Sequence, residues 1–356
     1  MKTFSLKTTY IPEFINIMEK ALIKRGNWIK EKNKNNKVDF LYVNGKYEWT
    51  SNRFAKLQNE LPNASLKNFL DISSKEQISL KDNLYKNMKK QFPKIYKKYF
   101  PKQFDIDLNK ISNKKLNKIK KAFIKNKYWI LKPIHSCSGK GVKVFNSFIS
   151  FEKYILILKK KNKCNKTNWK KDCYFVLSQY IEKIRLYKKK KFHIRLYFLV
   201  TLINNKKKCY YSKNGYLLHT RKEYNMDNLS HNVHNSHVNS TDGAIFFPEC
   251  LSKTDKLYPQ FEELFKHIGK LIEPKCHIMK GRSEQSKNCF EVFIADIMIT
   301  NKNRIKCLEL NAKVGYSPRY GKEFYDNFFN SLLCKTVDII YPPKNKVVDN
   351  GNFFLL

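Results

Sequence analysis

The sequence predicts an α+β protein built from two or three packed modules, and three observations support that expectation. The 356 residues exceed one typical domain of roughly 150 residues. A hydrophobic content of 42% and an aromatic content of 14% can offset the ordering entropy of folding despite 28% charged residues, which excludes disorder as the main state. The hydrophobic period also changes along the chain, from helix and strand signals at the start to strands rich in β-branched and aromatic residues beyond Tyr128.

Residues 11–25 read as an amphipathic helix opened by Pro12, with Phe14, Ile15, Met18, Leu22 and Ile23 on one face. Val38 to Val43 reads as a buried strand ended by Asn44-Gly45, and a helix starting near Ser79 gathers Leu80, Leu84, Tyr85 and Met88. Together these suggest a small N-terminal α/β module. The lysine-rich stretch from Lys94 to Lys127 fits a linker and one helix. Strands then follow at Tyr128–Lys132, Val142–Phe145, Tyr174–Tyr180, Phe192–Ile203 and Phe290–Ile299, with helices over Ser150–Lys160 and Leu257–Ile272. The runs Lys159–Lys163 and Lys188–Lys191 read as solvated loops, and no internal repeat is visible.

Seventy-one Lys and Arg against 30 Asp and Glu give a net charge of +41, which attracts nucleic acid, an anionic membrane or an acidic protein segment. Only eight of these cations are Arg, so an AT-rich coding bias accounts for much of the excess and the charge is discounted as evidence of binding. The longest apolar stretches fall far short of the roughly 20 residues of a membrane helix. At the N-terminus, polar Thr and Lys stand where a signal peptide would be apolar, so a cytosolic location is expected. Nine cysteines without a C-x-x-C pair read as reduced, mostly buried thiols.

Three constellations could carry chemistry. In the first, Lys132 projects from a strand that leads into Ser136-Cys-Ser-Gly139-Lys140-Gly141, where glycines let backbone N–H groups approach a phosphate. This is not a Walker A sequence, and a bare Gly-x-Gly turn is more often only a hairpin. In the second, a two-residue turn at Lys302-Asn303 would pair Asn301 with Arg304 and set Asp296 opposite Glu309, with Asn311 on the same face. Facing carboxylates repel and need a cation among apolar neighbours, and an Asp/Glu/Asn oxygen set suits Mg²⁺. A solvent-facing polar stripe is the alternative. In the third, Lys191, His193 and Arg195 alternate onto one face of a strand and Phe192, Ile194 and Leu196 onto the other, either to grip anions or to form the wet side of a sheet. His231, His234 and His237 fit a polar loop better than a zinc site, since no nearby carboxylate or Cys completes four ligands. Phe246-Phe247-Pro248 reads as packing.

In this order "WILKP", "SGKGV", "VLSQYIEK", "KFHIRLYFLV" and "FEVFIADIMI…CLELNA" resemble the motifs of the tubulin tyrosine ligase-like family of ATP-grasp ligases. "RGNWIK", "NELPN" and the helix start at Ser79-Leu-Lys81-Asp82 add a weaker N-terminal similarity. The resemblance implies an ATP-grasp fold with a small N-terminal α/β module over 1–78, a central domain with the glycine loop over 79–187 and a C-terminal catalytic domain over 188–356. It implies ATP and Mg²⁺ as cofactors, with phosphates held by Lys132, Lys81 and the Gly139, Lys140, Gly141 loop. It places adenine at Gln179, Tyr180 and Ile181, a cationic pair for nucleotide or substrate at Lys191 and Arg195, and Mg²⁺ at Asp296, Glu309 and Asn311. The implied function is ATP-dependent addition of an amino acid to an acidic protein tail, tubulin foremost, through an acyl phosphate. The amino acid is tyrosine, glutamate or glycine.

A chain that closes soon after the catalytic hairpin resembles the compact tyrosine-adding form. Cytoplasmic location with possible microtubule association is implied, with a monomer, a free amino acid as co-substrate and no membrane partner. Scarce Arg and aromatic residues not interleaved with Lys argue against nucleic acid. The alternative is a catalytically inactive ATP-grasp scaffold that binds acidic tails or nucleic acid. Three positions depart from the family pattern: His193 stands for Asp, Leu218 for Arg, although Arg221 is close by, and Asn228-Leu-Ser-His231-Asn232 for His-Leu-Thr-Asn.

Overall fold

The computed structural model describes residues 1–8, 12–33, 36–44, 64–67, 70–134, 139, 141–161, 173–234, 245–276, 288–312, 328, 330–341 and 353–356. In chain order the first elements are β1 (Lys2–Thr8), α1 (Pro12–Lys24), β2 (Trp28–Lys30), β3 (Val38–Asn44) and β4 (Ala64–Lys67). Three helices follow, α2 (Ile72–Ser79), α3 (Lys81–Gln91) and α4 (Pro93–Tyr99), then β5 (Gln103–Asp107), α5 (Asn113–Lys125), β6 (Trp129–Pro133), β7 (Lys143–Phe145), α6 (Phe148–Lys161) and β8 (Tyr174–Gln179). The rest comprises β9 (Leu186–Tyr187), β10 (Lys190–Ile203), β11 (Lys206–His219), α7 (His231–His234), β12 (Ile245–Phe247), α8 (Tyr258–Leu271), β13 (Asn288–Ile299), β14 (Ile305–Asn311), α9 (Asn330–Ile340) and β15 (Phe353–Leu355).

A small antiparallel sheet has the order β5-β8-β6-β7. On β6, Trp129 and Leu131 point into a core with Ile119 and Phe123 of α5 and Phe151 and Ile155 of α6. The pleat sends alternate side chains to opposite faces, so Lys132 leaves by the other side. A large mixed sheet runs β12-β11-β10-β13-β4-β3-β1-β2. Strand β13 joins its two ends: one edge pairs with β10, and the other is shared between β4 at Asn288 and Cys289 and β14 from Ile294 to Ile299. The N-terminal strands therefore extend the same sheet that carries the C-terminal ones.

Both faces of the large sheet are covered. Phe192, Ile194, Leu196 and Phe198 of β10 pack against Phe261, Leu264 and Phe265 of α8 and against Leu84 and Met88 of α3. Tyr197 and Leu199 face a second core that includes Met18 and Leu22 of α1 and Leu332 and Val337 of α9. This explains why β10, which alternates up to Arg195, reads from Leu196 to Val200 as a continuous apolar run. A one-residue slip would move every side chain to the wrong core, so register is strongly specified.

Several expectations are corrected. The stretch from Lys94 to Lys127 holds two helices and strand β5, where "QFDID" carries too few apolar residues to show a period of two. Strands β1 and β11 were hidden by lysines, because β11 opens with three exposed lysines and buries its apolar residues only from Cys209 onward. Lys188 and Lys189 do form a turn with left-handed φ of 46° and 60°, but Lys190 begins β10 and Lys191 is buried. Cys276 and Cys289 are joined in a disulfide and Cys173 is also disulfide-bonded, which overturns the expectation of reduced thiols there, whereas Cys209, Cys250 and Cys307 are thiols. Among the described residues, no helix is long and apolar enough to cross a membrane.

Gly215 of β11 lies directly opposite Leu196, beside an irregularity in the β10–β11 ladder. A Cβ there would stand 2.1 Å from the Arg195 carbonyl oxygen, a backbone atom that cannot turn aside. Gly215→Ala should therefore destabilise the protein by about 1–3 kcal/mol through overpacking, read as a lowered urea midpoint. An unchanged midpoint would contradict this close approach.

Candidate active site

Adjacent strands of the large sheet bring the polar residues together. Arg195 of β10 and Asp296 of β13 are cross-strand partners. The guanidinium grips the carboxylate with both arms, Nε donating to Oδ1 at 2.9 Å and Nη2 to Oδ2 at 3.4 Å. The Asp296 side chain is only 2% exposed and that of Arg195 14%, so a buried carboxylate meets a part-buried guanidinium. Tyr216 of β11 places its hydroxyl 3.5 Å from Arg195 Nη1. His193 Nε2 lies 3.6 Å from Asp296 Oδ1, which is close enough for charge to matter but too long for a hydrogen bond.

On the other edge of β13, Glu309 is the partner of Asp296 and Asn311 that of Ile294. The expected carboxylate pairing is present, but the turn that produces it differs. Thr300 N donates to Arg304 O and Asn303 N to Thr300 O, so the loop spans three residues, with Asn303 at a left-handed φ of 53°. Ile299 then pairs with Ile305 and Ile297 with Cys307, one residue out of the expected register, and a bulge at Leu308 restores Asp296 opposite Glu309. The predicted pairing of Asn301 with Arg304 is not formed.

The expected repulsion between the carboxylates is met by the protein's own cations. Lys81, the first residue of α3, approaches Glu309 Oε2 at 3.4 Å and donates to the Ile134 carbonyl at 3.3 Å, so it ties the end of β6 to the β13–β14 hairpin. Asn311 Nδ2 donates to Glu309 Oε1 at 3.4 Å. Burial lowers the pKa of Lys132, Glu309 and Asp296 oppose that shift, and repulsion from Lys81 adds to it. The donor set of two carboxylates and an amide oxygen suits a hard divalent cation, and each carboxylate oxygen retains a second lone pair beyond its protein partner. Among the described residues, no three of His, Cys, Asp or Glu cluster as a metal site.

Lys191 lies apart from these contacts. Its Nζ donates to the Tyr180 hydroxyl at 2.8 Å, that hydroxyl is 2.7 Å from His234 Nδ1, and His234 Nε2 is 2.7 Å from the Asn228 carbonyl oxygen. A carbonyl only accepts, so Nε2 carries the proton and Nδ1 accepts from Tyr180, whose lone pair is left for Lys191. Burial and then the Lys191 charge hold His234 down to about 4, consistent with a neutral ring. Burial and then repulsion from Lys132 push Lys191 down to about 7. Sequence reasoning assigned His234 to a polar loop; its i, i+3 spacing from His231 was visible, but its contact with residue 180 was not.

The remaining predicted residues are nearby but less engaged. Gly139 and Gly141 adopt left-handed φ of 70° and 74°, and a Cβ on Gly141 would meet Pro133 Cγ at 2.8 Å, so both glycines are required by the turn. Lys140 and His237 lie outside the described residues. Next to this loop, Val142 to Asn146 with Leu229 and His234 line a cavity of about 390 Å³. Gln179 Nε2 donates to Asn126 Oδ1 at 2.8 Å and Ile181 is half-buried. Leu218, opposite His193, is a core residue, and Arg221 is exposed.

A family model described as the tubulin-tyrosine ligase family matches residues 58–347. The chain belongs to that family. Among its relatives are tubulin glycylase 3F of Tetrahymena thermophila, 23% identical over 252 residues, and tubulin glycylase 3A of Drosophila melanogaster, 26% identical over 206 residues. These matches cover 63% and 52% of this chain, which spans 25% and 19% of those proteins. The C-terminal domain of K. lactis Pby1, an ATP-grasp enzyme that interacts with the mRNA decapping enzyme Dcp2, superposes with a TM-score of 0.62 over 99% of this chain and 98% of that domain, at 16% identity. The fold is thus ATP-grasp.

Two outcomes follow from the geometry. Asp296→Asn should cost about 1.5–3 kcal/mol in denaturant unfolding, because it removes the charged acceptor of two hydrogen bonds from the part-buried Arg195 guanidinium. A gain in stability would show instead that carboxylate repulsion dominates. For Lys191, the unfolded chain keeps its proton up to about 10.4 and the native chain only to about 7. Native protein binds fewer protons between those limits, so stability should rise with pH across the window. Lys191→Met should reduce that slope in urea midpoints taken near its two ends, and an unaltered slope would mean that Lys191 titrates normally.

Proposed function

We propose that this chain is an ATP-dependent ligase that joins a free amino acid to an acidic protein tail, with tubulin as the substrate. The observation that carries the reading is the convergence of Lys81, Lys132, Arg195, Asp296, Glu309 and Asn311, drawn from both sheets and one helix, in a chain of the tubulin-tyrosine ligase family. Glycine is the amino acid favoured by the relatives' names, a shift from the tyrosine-adding form that chain length suggested.

In this reading Asp296, Glu309 and Asn311 hold Mg²⁺, which would neutralise nucleotide phosphates. Lys132, Lys81 and the loop through Gly139, Lys140 and Gly141 face the phosphates, and Gln179, Tyr180 and Ile181 border the base. Bound ATP supplies a phosphoryl group to the tail carboxylate; the amine then forms the C–N bond as the acyl C–O bond breaks and phosphate leaves. Lys191, held by the Tyr180 hydroxyl that His234 in turn orients, can meet anionic groups as an ammonium once their charge draws its proton back. Arg195, already oriented by Asp296, is placed to stabilise developing negative charge. We retain the three-part division at residues 78 and 187, a monomer, and a cytoplasmic, microtubule-associated location as parts of the same proposal.

Incubation with ATP, Mg²⁺, tubulin and each labelled amino acid in turn tests it. Label from glycine, glutamate or tyrosine should enter tubulin only with both ATP and Mg²⁺. Intact ATP binding without incorporation of any amino acid would favour the inactive scaffold.

A further inference from the structure

As a sequence His234 reads as part of a polar loop, but in the fold four contacts fix it. The residue ends α7 and is 5% exposed, with both ring nitrogens engaged. The rings of Tyr180 and Tyr224 meet it edge-on, with centroids 5.3 Å and 6.0 Å away and interplanar angles of 89° and 85°. The segment that delivers it, residues 220–234, runs along both sheets. Beside β10, Thr220 N donates to the Lys191 carbonyl at 2.8 Å and Tyr224 N to that of Lys189 at 2.9 Å. Tyr224 Oη then donates to the Glu182 carbonyl at 2.8 Å. Further along, Met226 and Leu229 pack on Val144 of β7 and on Tyr128 and Tyr180, which flank β6 and β8. His234 fastens the far end of this strap to the Tyr180 hydroxyl.

The donors available set the direction of each proton. With its proton on Nε2, facing the Asn228 carbonyl, the ring can only accept from Tyr180. The Tyr180 proton is thereby fixed, and a lone pair of the same oxygen is turned to Lys191 Nζ. Without that acceptor the hydroxyl could swing its proton toward the amine, where it would oppose an ammonium. This matters because burial and Lys132 both act against the Lys191 charge and no carboxylate offsets them. An ammonium carries three N–H donors; one goes to Tyr180, which leaves two for the acceptors of a ligand.

We propose that His234 is a positioning residue for nucleotide binding: through the Tyr180 hydroxyl it aims the Lys191 ammonium at the nucleotide, without touching the ligand itself. The inference rests on the ligase reading for the identity of that ligand, whereas the hydrogen-bond chain stands without it. Lysine has a long, flexible stem, and an ammonium held in one direction before the ligand arrives loses less freedom on binding. A histidine contributed by the strap therefore links the seating of residues 220–234 across both sheets to the direction of one cation at the site.

Isothermal titration calorimetry of the full chain with ATP and Mg²⁺ tests it. His234→Leu removes both ring hydrogen bonds and should weaken ATP binding by about fivefold to tenfold. His234→Gln, whose amide oxygen can accept from Tyr180 while its NH₂ group donates to the Asn228 carbonyl, should return the affinity to within about threefold of wild type. Tyr180→Phe removes a single oxygen and should match the loss in His234→Leu; it also carries the comparison if His234→Leu melts early. The double variant should be no more than about twofold weaker than Tyr180→Phe, since both changes act through one oxygen. Losses that multiply in the double variant would overturn the proposal. So would unchanged affinity in Tyr180→Phe, or tighter binding, which would show the hydroxyl competing with the nucleotide for Lys191. A second readout needs no nucleotide: the ring-nitrogen NMR spectrum of His234 should show a neutral imidazole protonated on Nε2 at neutral pH, and a proton on Nδ1 would overturn the chain. Wild-type protein that showed this spectrum but bound no ATP would count against the ligase reading, while the chain that aims Lys191 would stand.

Discussion

The pairing of Arg195 with the buried Asp296 carboxylate is the contact on which the arrangement of the site depends. Two charges taken out of water incur a desolvation cost that only good geometry offsets, and here the bidentate grip joins the two central strands of the large sheet. Because both faces of that sheet are apolar cores, β10 and β13 cannot slide to find a better partner for either charge. The ladder is instead adjusted on either side of the pair. Gly215 lets β11 approach the Arg195 backbone, and the bulge at Leu308 brings Glu309 back opposite Asp296.

A consequence is that the carboxylates are compensated before any ligand arrives. Arg195 holds Asp296, and Lys81 with Asn311 holds Glu309. Lys132 lies in the field of both acids and of Lys81, so its lowered pKa reflects competition among these neighbours as well as burial. A divalent cation or a polyphosphate entering this cluster would exchange partners within an existing network and would not fill an uncompensated gap. Lys191 differs, because a hydroxyl and not a carboxylate meets its amine, and its charge is correspondingly easy to lose.

Much of this was legible in the sequence, for identifiable reasons. Long apolar runs such as Phe192–Ile203 and Phe290–Ile299 announced central strands, and the order of motifs along them announced the ATP-grasp fold. The facing of Asp296 and Glu309 was also foreseen, although through a two-residue turn that does not exist; a three-residue loop and a bulge displace the register in opposite senses. Strand β5 was missed because its polar residues mask an edge strand, and β11 because its opening lysines look like a loop. The Tyr180–His234 contact spans 54 residues of chain and has no local signature, and the Cys276–Cys289 disulfide likewise required knowing which strand ends meet.

The lysine excess shows why composition alone is a weak guide to partners. Lys67 is buried and pushed down to about 8 by desolvation, and Lys75 is buried beside Glu291 at 3.2 Å, where it helps fasten α2 to β13. Lys191 is buried at a hydroxyl. Lys2 sits 3.8 Å from the Tyr341 ring centroid, packing its stem and charge on an aromatic surface. The buried ones contribute to the net +41 yet present little or no charge to a partner. What matters for a partner is therefore not the number of lysines but which of them lie away from acids: Lys86 and Lys115, for example, are paired with Asp82 and Asp105. A field of one sign over a concave wall attracts an anion at a distance, whereas the same lysines interspersed with carboxylates would cancel within a Debye length of roughly 8 Å. Charge acquires a functional meaning here only where the fold separates the signs.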